Sequence, residues 1–487
     1  MKNIKRKLNL LIIILLILLT SLPILKLIKK TYSVTTMGNI VSDTDDNKNE
    51  TSDTNTDKDK DNDKSAETTK AILEALNSNT KSPSYESKDL RKFPYPYKSM
   101  LAICSDIDDT TLEEFETYHK FLNTKEQTPY GEGVGLDIGD SMWMYMGNDT
   151  KGKVDKYGNG SENIMTYYKG TDTSQKHNAN KIVNYINSGW IDCLHTFGDF
   201  SKDSEKGTAF NRDLAVNAWN ELKGINANFK VWINHGNRAN VQNFGAHGAS
   251  NFMSYQCGDN PKSPYYHTDL TMGNGVKYIW NSLQDSSFGH DYPLYELSLV
   301  DGKKVWGFHR YNRGLVNGKD DWTWNTKNLH LQLTQNNLDT LVKNQQYSIV
   351  AQHFGIGAEE LFSQENINSL RMLANYQTNG KILVAKTSRL LSYSTAQKHI
   401  QYSKGKVNDQ EYINIDCIND TIFGKSTPSI DDLRGITFYC DNPEKTVLLI
   451  NKNVVKSDEI QINPKDETGK ASITIKWFKS DYNDYTK

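Results

Sequence analysis

Met100-Leu101-Ala102-Ile103-Cys104 breaks off abruptly into Ser105-Asp106-Ile107-Asp108-Asp109-Thr110. An apolar run this short, closed by polar residues, reads as a buried strand whose end carries chemistry. The pattern recurs along the chain. Trp190 to Leu194 runs into His195-Thr196-Phe197-Gly198-Asp199, and Phe229 to Ile233 into Asn234-His235-Gly236-Asn237-Arg238. Tyr347 to Ala351 leads to Gln352-His353, and Lys381 to Ala385 to Lys386-Thr387-Ser388-Arg389. Helical spacing fills the intervals, as in Ile182, Val183 and Ile186, in Leu214, Ala218 and Leu222, and in Leu338, Leu341 and Val342. Alternating strands and helices with polar strand ends predict an α/β fold, a distorted (β/α) barrel over residues 98–426 whose site opens at the carboxyl ends of the strands. From about Thr427 the pattern changes to short strands and turns, such as Thr446 to Ile450 and Ala471 to Trp477, which predicts a small all-β domain over 427–487.

The amino end has a different character. Lys2, Lys5, Arg6 and Lys7 precede an apolar run from Leu8 to Leu25, closed by Lys26, Lys29 and Lys30. No small-residue cleavage site follows, so residues 1–30 read as an uncleaved membrane anchor, with a cleaved signal as the alternative. The expected location is the cell membrane, single-pass, with the bulk of the chain extracellular. Residues 31–97 read as a polar stalk, because Ser42 to Lys64 is almost wholly Asp, Asn, Thr, Ser and Lys and cannot bury enough apolar surface to fold. A short helix over Ala71 to Leu76 is the exception.

A length of 487 residues is enough for two to four domains. The formal net charge of -2 leaves no basic excess to neutralise a phosphate backbone, so nucleic acid is not an expected partner. Five scattered cysteines without C-x-x-C spacing exclude a disulfide framework and a cysteine zinc site. Aromatic residues reach 10%, a composition that suits flat, hydroxyl-rich ligands and equally suits a core.

Asp106, Asp108 and Asp109 crowd one strand end, where like charges repel unless a cation or shared proton compensates. His195 and Asp199 are four apart and would share a face if that turn were helical. The order of these segments resembles the polysaccharide deacetylase superfamily over roughly Lys98 to Ser394. Asp106-Ile107-Asp108-Asp109-Thr110 is similar to the family's first motif, T-F-D-D-G, and His195-Thr196-Phe197-Gly198-Asp199 to its second, H-[ST]-x-x-H, with aspartate in place of the second histidine. Val350-Ala351-Gln352-His353 is similar to its last, and Asp320-Asp321-Trp322 stands where the family carries an Asp-Trp pair. The resemblance implies Asp108 as catalytic base and His353 as acid. Asp109, His195 and Asp199 would hold a divalent metal, expected to be Zn2+, and Asn234, His235, Arg238, Asp321 and Trp322 would bind substrate. Tyr145, Trp143, Tyr266, Trp322 and Trp324 are candidates for a sugar platform. The implied activity is removal of N-acetyl groups from a surface or cell-wall polysaccharide.

The same residues admit other chemistry. Asp106-Ile107-Asp108-Asp109-Thr110 also matches D-x-D-x-T, the nucleophile loop of haloacid-dehalogenase-type phosphatases, and Gly198 to Asp203 matches their G-D-x-x-x-D magnesium motif. Asp106 would then be the nucleophile and Asp108 the general acid. A non-catalytic carbohydrate-binding relative and a glycosidase with paired carboxylates complete the alternatives.

Overall fold

The computed structural model describes residues 57–78, 89–147, 163–201, 207–235, 240–245, 256–281, 285–355 and 361–487. The apolar run of residues 8–25 and most of the polar stalk lie outside them. A helix covers Asp57–Ser78, and among the described residues no helix is long and apolar enough to cross a membrane.

The central sheet contains nine strands: β1 (Ser99–Ser105), β2 (Asp140–Met142), β3 (Ile191–His195), β4 (Val231–Ile233), β5 (Tyr278–Trp280), β6 (Leu294–Ser298), β7 (Lys304–Phe308), β8 (Tyr347–Gln352) and β9 (Ile382–Val384). Their order is β6-β7-β5-β4-β3-β2-β1-β8, with β9 beside the start of β1. Every pairing is parallel except β6 with β7. Helices Leu112–Asn123, Ala179–Ser188, Arg212–Gly224, Gln335–Asn344 and Gln364–Thr378 fall between strands, each where apolar residues recur at helical spacing. Thr111 starts the first of these with a capping box: its hydroxyl accepts from the Glu114 N–H, and the Glu114 carboxylate accepts from the Thr111 N–H.

The expected (β/α) barrel is not formed. The strands make a curled, half-barrel sheet in a mixed α/β fold, with nine α-helices among the described residues. Two features explain the departure. One edge of β1 is divided, since residues 99–101 pair with β9 while only Ser105 reaches β2. The strand–helix alternation also lapses after β5, where the described residues hold no helix before the antiparallel β6–β7 hairpin. Between β7 and β8 the contact is a single bridge, Tyr311 with Val350, rather than a ladder.

The two faces of β1 enter different cores, as the period of two along a strand requires. Leu101 and Ile103 pack with Phe115, Tyr118, Ile182 and Leu222 beneath the helices. Met100, Ala102 and Cys104 pack with Leu390 and Leu391 and with Ile413, Phe438 and Ile473 from the carboxyl-terminal strands. Those strands begin at Ile400, earlier than the composition change at Thr427, with the long hairpin Ile400–Val407 and Gln410–Asp420.

Candidate metal centre

The carboxyl ends of β1, β3, β4 and β8 bring Asp106, Asp108, His195, His235 and His353 together. Chain geometry beyond β1 is fixed by backbone bonds. The Asp106 N–H donates to the Gln352 carbonyl at 2.8 Å, and the Ile107 N–H to the Ser141 hydroxyl at 2.9 Å. Asp109 then adopts φ 52°, a left-handed conformation that aspartate tolerates better than most residues.

Asp108, His195 and His235 offer ligand atoms that all lie within 4.8 Å of one another. Asp108 Oδ1 is 2.8 Å from His195 Nε2, and Asp108 Oδ2 is 3.4 Å from His235 Nε2. His195 is fixed from behind: its Nδ1 donates to the Ile233 carbonyl at 3.2 Å, which turns Nε2 toward Asp108. Trp143 lies parallel to its ring at 5.9 Å. His235 Nδ1 faces the Asn240 side-chain amide at 2.8 Å and Asp199 Oδ1 at 3.6 Å. Burial opposes ionisation of Asp108, yet the charges of His235 and His195 hold its carboxyl well below the usual carboxylate range. Burial likewise opposes charge on His235, but the Asp108 carboxylate raises it to about 9.

A divalent metal fits this donor set. Asp108 Oδ1 and His195 Nε2 are buried and close, yet neither is aimed at a hydrogen-bond partner. Two such atoms cost free energy unless something else satisfies them. One carboxylate and two imidazoles suit Zn2+ or another first-row ion better than Mg2+, which favours oxygen ligands and water.

Beside the triad, Asp106 is buried against Arg310, whose Nη2 donates to its Oδ2 at 2.9 Å and to the Cys104 carbonyl at 3.1 Å. The guanidinium lies over the Trp280 ring at 4.4 Å. His353 Nε2 is 3.2 Å from Asp108 Oδ2 and 3.6 Å from Asp106 Oδ2, and Trp324 packs on the His353 ring at 4.5 Å.

The structure groups the residues singled out from sequence differently. Asp108 stands within the candidate triad rather than beside it, and His235 joins it. Asp109 is outside the triad, although its charge acts on His235. Asp199 stands behind His235 as an orienting partner. It is not one helical turn from His195, because Thr196 is left-handed at φ 54° and Gly198–Asp199 pairs as a short strand with Tyr145–Met146. Asn234 is a loop brace that accepts from Trp232 Nε1 at 2.9 Å and donates to the Phe244 carbonyl at 2.6 Å. Asp321 and Trp322 lie on the hairpin Arg313–Val316 and Lys319–Trp322, where Arg313 covers the Trp322 ring at 4.9 Å. Arg238 lies outside the described residues. Tyr145 is core, its hydroxyl donating to the Leu214 carbonyl at 3.0 Å, and Tyr266 donates to Asp301 at 3.0 Å. Arg310 escaped the sequence reading, though Val305-Trp306-Gly307-Phe308 closed by His309-Arg310 is the same kind of strand end.

No family model matches the chain, and no curated protein or solved structure is significantly similar to it.

Proposed function

We propose that the chain is a metal-dependent hydrolase that removes N-acetyl groups from an exported carbohydrate polymer. The observation that carries this reading is the convergence of Asp108, His195 and His235, two of whose buried ligand atoms lack hydrogen bonds, next to an arginine-held carboxylate and a third histidine. A divalent ion held by the triad, with Zn2+ the expected one, supplies a lowered water pKa and polarisation of an acyl carbonyl. Asp106, rather than Asp108, then accepts the proton of the attacking water while Arg310 keeps its carboxylate in place. His353 gives a proton to the departing amine nitrogen. Trp324, already against His353, offers an apolar face on which a sugar ring can stack. The apolar run of residues 8–25 supports a membrane-held protein acting outside the cell. The phosphatase alternative requires an oxygen-rich Mg2+ site, and the imidazoles around Asp108 argue against it.

The test is acetate release by the Zn2+-loaded full chain from polymers of N-acetylglucosamine and N-acetylgalactosamine. Asp106→Asn is expected to keep its metal and lose about 10²-fold or more in rate, whereas His195→Ala loses metal and activity together. Silence across the panel with metal bound, or phosphate release from a phosphomonoester with Mg2+, overturns the proposal.

A further inference from the structure

A second group of ligand-type side chains, Asp285, His290 and His309, has no part in the chemistry above. Their candidate atoms also lie within 4.8 Å of one another. Asp285 Oδ2 is 2.9 Å from His290 Nε2 and 2.7 Å from His309 Nδ1. The two imidazoles stack with centroids 3.9 Å apart and planes 11° apart, so both present a nitrogen to the same carboxylate oxygen. His290 Nε2 is buried and, despite its short separation from Asp285, is not aimed as a hydrogen bond.

The backbones bearing these side chains are pinned. His290 exchanges two hydrogen bonds with Tyr347 at the start of β8, each 2.9 Å, and the His309 N–H donates to the Pro293 carbonyl at 3.0 Å. Asp285 Oδ1 accepts the Ser287 N–H at 2.9 Å, which fixes the carboxylate and leaves Oδ2 toward the histidines. A tetrahedral ion with bonds of about 2.0–2.1 Å separates its ligand atoms by about 3.3 Å, so each imidazole–carboxylate contact has to lengthen by roughly 0.5 Å and the stacked rings have to turn so that their nitrogens converge. His309 directly follows β7, and the next residue is Arg310. Successive side chains of an extended chain point oppositely: His309 is 29% exposed, while Arg310 is fully buried against Asp106.

We propose that Asp285, His290 and His309 form a second site for a divalent transition metal, Zn2+ being the reference ion, that braces the end of β7 from outside while Arg310 acts from inside. Two imidazoles and one carboxylate are a donor set for zinc or its first-row neighbours and a poor one for Ca2+ or Mg2+. The site bridges the β6–β7 hairpin and the start of β8, where among the described residues the sheet is joined by single bridges. A metal there replaces missing ladder bonds with coordinate bonds. The inference does not rest on the proposed deacetylase activity, since it concerns other residues and is read by metal content.

The experiment is zinc stoichiometry of the full chain after saturation and desalting, by elemental mass spectrometry. It is repeated with Co2+, whose visible absorption reports tetrahedral coordination. Two equivalents are expected for the wild type. His290→Ala and His309→Ala should each hold one, and His195→Ala should hold the other one. If His290→Ala fails to fold, His309→Gln, which keeps a polar side chain of similar size, is read in the same way. Wild-type stoichiometry in the folded His290 and His309 variants overturns the proposal, as does a single wild-type equivalent that only His195→Ala removes. Either result leaves the triad as a carboxylate accepting two imidazole N–H bonds, and neither bears on acetate release.

Discussion

Replacing Arg310 with methionine removes a charge from the most enclosed polar contact of the site. Arg310 is 1% exposed and Asp106 2%, so neither group can turn to water for compensation. Breaking one partner of a buried pair typically costs about 3–5 kcal/mol, because the survivor is left charged and desolvated. Here Asp106 also loses the Nη2–H donor at 2.9 Å, while His353 Nε2 at 3.6 Å remains as partial compensation. The expected cost of Arg310→Met is therefore toward the lower end, about 3 kcal/mol. Asp106→Asn strands the guanidinium instead and is expected to cost a similar amount. The double variant leaves no buried charge unpaired, and its destabilisation should fall short of the sum of the two by roughly 1–3 kcal/mol. The assay is urea unfolding of all four proteins in the metal-free state, followed by tryptophan fluorescence, with midpoints compared at a common m-value. Single-variant losses that add to within about 0.5 kcal/mol would show that the pair is not coupled, and would refute the role assigned to Arg310.

The buried neighbours Asp140 and His119 should titrate in opposition. Burial raises Asp140 to about 7 and lowers His119 to about 3. The native state thus keeps a proton on Asp140 that the unfolded chain loses above about pH 4, a contribution to stability that shrinks as pH rises to 7; His119 contributes the reverse slope between about 3 and 6.5. Asp140→Asn should therefore make stability climb more steeply with pH than in the wild type, by up to about 1.4 kcal/mol per unit, and His119→Gln should do the opposite. Parallel stability–pH curves for the three proteins would contradict this. Gly198→Ala should cost roughly 1–3 kcal/mol, since at φ 148° an added Cβ would collide with the Tyr145 carbonyl. Because this loop joins His195 to Asp199, zinc affinity measured by chelator competition should fall with it, and unchanged stability would remove the argument.

Most strand ends that carry the site were legible where an apolar run met polar residues, the end of β7 excepted. The runs at Met100, Trp190, Phe229, Tyr347 and Lys381 all contain strands of the central sheet. Strand β2 gave no comparable signal, because three residues beginning with a buried aspartate carry no periodicity. The division of duties within the site was less legible still. Ile233 lies opposite His195 in the parallel register of β4 and β3, which carries His235 to the triad across 40 residues of sequence. Spacing within one motif cannot reveal a partner that only strand pairing supplies. The pairing of His195 with Asp199 failed for a local reason, as Thr196 and Gly198 take backbone conformations that no helix contains.

One face of β1 belongs to the same hydrophobic core as Phe438 and Ile473, so the strand that leads to Asp106 and Asp108 shares its core with residues made more than 300 positions later. During synthesis β1 emerges before the segments that complete this core. The Trp190 ring meets Tyr485, and the Lys181 ammonium donates to the Thr486 carbonyl, so even the final residues close over the sheet's helices. A polypeptide interrupted by a late stop codon, or trimmed there by a protease, would lose part of that core although every proposed ligand remained in place. The core behind the candidate centre thus depends on the carboxyl-terminal strands as well as on the sheet that carries its residues.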